Sequence, residues 1–132
     1  MPEKLIQAIV LDNHLNLEIW DLSRVLAGDR WLVCLEARMD ISLEMKYFDS
    51  LPEKEKLFSV MEKIYGPEVP YRYKEEKHFV DQSEKDELVH EFIEMMKENL
   101  VPYLSHPDFS RRFIMSRLKE LRTKQPQLFS SE

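Results

Sequence analysis

Apolar and polar positions alternate with a period of two over the first third of the chain. Leu5 to Leu11 make an apolar run broken by Gln7, and Leu15, Leu17 and Ile19 then alternate with Asn16, Glu18 and Trp20. That period marks a strand with one buried face. Asp12-Asn13-His14 between the two runs suits a tight hairpin, because Asp and Asn tolerate left-handed backbone. The longest pattern comes next. Trp31, Val33, Leu35, Ala37, Met39, Ile41, Leu43 and Met45 are all apolar, and from Glu36 to Lys46 every intervening residue is polar. No Gly or Pro interrupts it, which predicts one strand over residues 31–45 with its odd-numbered side chains on the core face.

After Ser50 the period becomes helical. Leu57, Phe58, Met61, Ile64 and Tyr65 form one stripe, ended by Gly66-Pro67. Val89, Phe92, Ile93, Met96 and Leu100 form a second that stops near Pro102. Ile114, Leu118 and Leu121 form a third, with Phe109 and Phe113 on an adjoining face. Each stripe follows a Ser-x-x-acid sequence, Ser50 to Glu53, Ser83 to Asp86 and Ser105 to Asp108, which predicts three capping boxes. Residues 69–80 fit either an edge strand or a loop over the sheet. Sheet first and helices after give an α+β fold: an antiparallel sheet of three to five strands in the N-terminal half, packed by three C-terminal helices. With no repeat or linker, the expectation is a single domain over residues 1–124 and a frayed tail over 125–132, where Pro126 and the last serines cannot extend a helix.

Charge then narrows the partners. The chain has 132 residues and a formal charge of −6, but residues 1–50 carry 5 basic and 9 acidic side chains, 51–104 carry 8 and 13, and 105–132 carry 6 and 3. An acidic whole argues against nucleic acid, although Arg111, Arg112, Lys119 and Arg122 share about 100° of arc on a helix. The N-terminus lacks the long apolar region and cleavage site of a signal peptide, and no run approaches the roughly 20 apolar residues of a membrane span. The expected setting is cytoplasmic, away from membranes.

Catalytic chemistry finds few footholds. A single Cys34 excludes an intrachain disulfide, and it sits in a strand pattern where a thiol acts as a small hydrophobe. Two glycines leave no phosphate-cradling loop. Among the histidines, His90 alone has helix-spaced acids, Asp86 and Glu94, short of the ligand set zinc needs. The expectation is therefore no cofactor, no metal and no catalytic residue. The richest mixture lies between the second and third strands. There Trp20, Asp21, Arg24, Asp29, Arg30 and Trp31 could bind an anionic or planar ligand through guanidinium forks and indole faces. Asp21-Leu-Ser23 has the opening of the cyclic-dinucleotide element of PilZ domains. Gly28 falls two places too late, however, and no R-x-x-x-R pair exists, which excludes that family.

A non-catalytic protein-interaction module is the function expected, with a homodimer or another protein as partner. Its basis is the length of the third strand. Fifteen residues would span roughly 50 Å, against a diameter of roughly 36 Å for a compact domain of this size. The preceding strand covers only half of it. Arg38, Met39, Asp40, Ile41, Ser42, Leu43 and Glu44 would then pair either with residues 69–80 or with the same strand of another copy. The alternatives are a small-molecule or anion site at Trp20–Trp31, possibly enzymatic, and a nucleic-acid accessory role for the basic helix. For the last, random-sequence duplex in fluorescence anisotropy should show no binding at physiological salt. Micromolar affinity lost in Arg112→Glu/Lys119→Glu would reverse that expectation.

Overall fold

The computed structural model describes residues 3–130. In chain order the elements are β1 (Lys4–Val10), β2 (Asn16–Asp21), β3 (Arg24–Ala27), β4 (Arg30–Ser42), a 3-10 turn (Met45–Phe48), α1 (Lys54–Tyr65), β5 (Glu68–Asp81), α2 (Gln82–Leu104), α3 (Phe109–Lys124) and a second 3-10 turn (Pro126–Phe129). The fold is α+β, with an antiparallel sheet of five strands and three helices. Tertiary contacts gather into two compact units, Met1–Met39 with Tyr71–His106 and Asp40–Pro70 with Pro107–Glu132. β4 and β5 contribute residues to both, so the division falls inside strands and no change of composition marks it.

In the first unit β1 pairs with β2, and β2 and β3 share one edge of β4. Glu18 faces Arg38, Asp21 faces Leu35 and Arg24 faces Leu32, so the offset is unchanged across residues 22 and 23. β2 and β3 are one strand briefly interrupted. At the gap Leu22 N donates to Cys34 O (2.8 Å) and Cys34 N donates to Ser23 Oγ (3.0 Å), while Asp21 Oδ1 accepts from Ser23 N (2.8 Å). Side chains there replace missing ladder bonds. Gly28, at φ 57°, takes the left-handed position of a two-residue turn into β4. With that edge filled, β5 takes the other, and residues 69–80 are strand.

The odd-numbered face of β4 is core as expected: Val33, Leu35 and Ala37 are fully buried, with Met39 nearly so. The even face is not simply solvated. Leu32, Cys34 and even Glu36, at 8% exposure, are buried too. The period of two could not show this, because strands on both edges supply long side chains that lean over the middle of β4.

α2 departs from its predicted boundaries at both ends. Its cap is Asp81, whose Oδ1 accepts from Ser83 N (2.9 Å) and Ser83 Oγ (2.9 Å). Ser83 lies inside the first turn, so its box does not form. Pro102 lies inside the last turn, and Ser105 N closes that turn on Val101 O (2.9 Å). At the helix end the carbonyls of Leu104 and His106 accept from Asn13 Nδ2 (2.8 and 2.9 Å). The β1–β2 turn thus caps the C-terminal end of α2, two residues beyond its proline. Met96 and Leu104 are buried, and Val89, Phe92, Ile93 and Leu100 are half-buried.

In the second unit β4 ends at Ser42 rather than at residue 45. Leu43 N donates to Pro67 O (2.9 Å), Pro67 has no N–H to return, and Met45 begins a 3-10 turn with its side chain exposed. Phe48 is fully buried, its ring edge-on to Phe58 at 5.7 Å. α1 buries Leu57 and Met61, and Gly66 at φ 80° ends it with an N–H to Glu62 O. α3 buries Phe109, Phe113, Ile114, Leu118 and Leu121, the full predicted stripe. Neither helix has the expected serine box. Glu53 at φ 58° precedes α1 without a side-chain cap bond, and Asp108 before α3 turns its carboxylate to Arg111. The predicted fray beyond residue 125 is instead a 3-10 turn at 126–129, where Leu128 and Phe129 are half-buried and Arg122 lies 5.9 Å over the Phe129 ring.

Leu35→Ala should lower the unfolding free energy by about 2–5 kcal/mol in urea denaturation. Glu36→Ala should cost about 1 kcal/mol, because Arg38 keeps Glu3 as a partner.

Candidate interaction surface

The residues expected to form a ligand loop do not converge. Residues 20–31 are strand ends and a tight hairpin, with no loop to enclose a molecule. Trp20 faces Glu36 and Trp31 faces Val25, so alternation puts the two indoles on opposite faces of the sheet. Asp21 is committed to Ser23 N, and Arg24 is exposed opposite Leu32. Asp29 accepts from Gln82 N through its carbonyl, and Arg30 lies 3.8 Å from Asp29 and 3.4 Å from Asp81. Lys85 Nζ sits 4.5 Å over the Trp31 ring. These contacts hold the hairpin against α2. The predicted site is dispersed.

The stretch proposed for pairing with another copy is also occupied. Arg38 faces Glu18, Met39 O accepts from Arg72 Nη1 (2.9 Å), and Leu43 N is bonded to Pro67 O. Asp40, Ile41 and Ser42 lie on the β4 segment between those contacts, and Glu44 accepts from Tyr47 Oη. β5 therefore supplies the neighbour whose absence motivated self-pairing there.

The open face of the first unit carries a charged network. Arg38 donates from Nε to Glu36 (2.5 Å), pairs through Nη2 with Glu3 (3.0 Å) and lies 4.8 Å over Trp20, whose Nε1 donates to Glu18 (3.0 Å). Beside it, burial and then the Glu76 carboxylate push the Cys34 thiol above its ordinary value. Asp81 is held below the usual carboxylate range, first by the Ser83 N–H and then by the Ser83 hydroxyl. Among the described residues no group of three His, Cys, Asp or Glu side chains is placed to hold a metal, and none of the helices can cross a membrane.

Toward β1 the same face turns apolar. Leu5 faces Trp20, Ala8 faces Glu18 and Val10 faces Asn16, which puts all three on the open side. Leu5 is 44% and Val10 73% exposed. The register slips between Leu5 and Gln7, and from Gln7 to Val10 the pairing with β2 is regular. Among the described residues the outer edge of β1 meets no strand. Sequence reasoning passed over this surface, although Leu5-Ile6 and Ile9-Val10 are adjacent apolar pairs that one buried face cannot absorb. Comparison of the chain with family models, curated proteins and solved structures gives no match. The functional reading rests on this geometry.

Cys34 should resist alkylation by iodoacetamide near neutral pH and react once urea unfolds the chain. The unfolded thiol ionises near pH 8.5 while the folded one keeps its proton. Stability contributed by this group is therefore present below that pH and falls as pH rises through the window above it.

Proposed function

We propose that the chain is a non-catalytic protein-interaction module that associates with itself through the free edge of β1. The observation that carries this reading is the coincidence of an unpaired strand edge with exposed apolar side chains. An edge strand offers free N–H and C=O groups, and folds ordinarily blunt it with proline or charge. Gln7-Ala8-Ile9-Val10 has neither. Antiparallel pairing of this segment with its copy about a two-fold axis would join two sheets into one and set Ala8 and Val10 beside apolar side chains of the copy, with Leu5 flanking the seam. Of the other edge strands, β5 carries Pro70 and a run of exposed charge and β3 is only four residues long, which supports β1 as the associating edge.

Light scattering at micromolar concentration should give about twice the 15.9 kDa chain mass. Leu5→Lys/Val10→Lys replaces two exposed side chains and should leave thermal unfolding intact while returning the monomer mass. A parent chain that stays monomeric would refute the reading, as would a dimer indifferent to the two lysines.

A further inference from the structure

α3 carries six cations, and four have acids at hand. Arg111 and Arg112 share Asp108 (3.0 and 3.3 Å), and Arg117 and Lys124 share Glu120 (3.2 and 3.5 Å). Lys119 and Arg122 have no ion-pair partner among the described residues. Both line a groove of about 360 Å³ in the second unit, floored by Leu51, Met115 and Leu118 and ending at Thr123. No acid lines it. Leu118 is buried while Leu51 and Met115 are half-covered, so the floor offers apolar surface to a visitor.

The first unit presents an exposed aromatic side chain beside acids. Phe79 is 69% exposed and holds φ 57°, a left-handed conformation that is strained for a bulky residue. It stands at a cleft of about 330 Å³ that Glu84, Glu87 and Glu91 line from α2, with Arg30, Lys77 and Asp81. Arg30 is engaged by Asp29 and Asp81. The three glutamates have no ion-pair partner among the described residues. Glu84 and Glu87 are three residues apart on their helix, as are Lys119 and Arg122 on theirs, about 4.5 Å of rise in each case.

We infer that the α3 groove is the docking site for the Phe79 corner of a second copy of this chain. The ring lies on Leu51, Met115 and Leu118, and Lys119 and Arg122 meet Glu84 and Glu87. Such a contact joins two unlike surfaces, one from each copy. It is separate from β1, and its test is run in the Leu5→Lys/Val10→Lys background, so that failure of either reading leaves the other measurable.

Sedimentation velocity over a rising concentration series should show mass increasing at low salt and less at high salt. Lys119→Glu/Arg122→Glu and Glu84→Lys/Glu87→Lys should each weaken association by about tenfold or more. Their equimolar mixture should associate again, since the intact groove of one meets the intact acidic corner of the other. Phe79→Gly relieves the left-handed strain, so it should unfold at or above the parent temperature yet lose association. A mass independent of concentration, a mixture that stays apart, or full association of Phe79→Gly would overturn the proposal. So would capture of a labelled Leu- and Glu-patterned helical peptide by a chain that does not bind itself, since the groove would then have a foreign occupant.

Discussion

Burying both faces of a strand removes water as a partner for its backbone, so each N–H and C=O along β4 must be met from a neighbouring edge. That constraint organises the first unit. One edge is met by β2 and β3, which keep a single offset against β4 even where Ser23 interrupts them, and there the serine hydroxyl accepts the Cys34 N–H in place of a carbonyl. The other edge is met by β5. A segment with Pro70 and a charged run makes a poor central strand, but as an edge it needs only one row of ladder bonds.

Satisfying β4 moves the unpaired backbone outward, to the short β3 and to two longer edges, β1 and β5. The two edges are built differently. β5 presents exposed Lys74, Glu76, Lys77 and His78, and Phe79 within it takes a left-handed φ of 57°, features that discourage pairing. β1 has a bulge near Ile6 and is otherwise plain, with Leu5 and Val10 in solvent. A neighbour for β4 supplied from within the chain makes partner-seeking at residues 38–44 redundant, and it is β1 on which the proposed self-association rests.

Periodicity made the elements legible and left their partners obscure. Odd positions of β4 and the α3 stripe could be read directly, since each needs only one buried face. Glu36 could not, because it sits opposite Trp20 through a pairing that composition does not encode. The helix starts were misread for a related reason. Ser-x-x-acid spacing fits a box only if the serine is the last non-helical residue, and Asp81, two places earlier, already caps α2. The true end of α2 at Leu104 is not legible locally, because its cap, Asn13 donating to Leu104 O, lies 91 residues away. The Trp20–Trp31 cluster looked dense in sequence, yet strand alternation sends its two indoles to opposite faces.

Charge gives the same lesson in another form. Counting basic residues on α3 suggested a stripe for phosphates, but a cation already sharing a carboxylate has little left to give a third group. Asp108 holds two arginines and is itself kept below the usual carboxylate range by Arg111 first, while Glu120 holds Arg117 and Lys124. Subtracting those pairs leaves Lys119 and Arg122 on α3, both beside apolar floor, and the same subtraction on α2 leaves Lys97 and five glutamates, of which Glu84, Glu87 and Glu91 line the cleft at Phe79. Exposed ion pairs contribute little to stability, so their positions matter less for folding than for which charges they leave unsatisfied. In a chain whose net charge is −6, isolated pairs of opposite sign next to exposed apolar surface favour a protein contact over a polyanion.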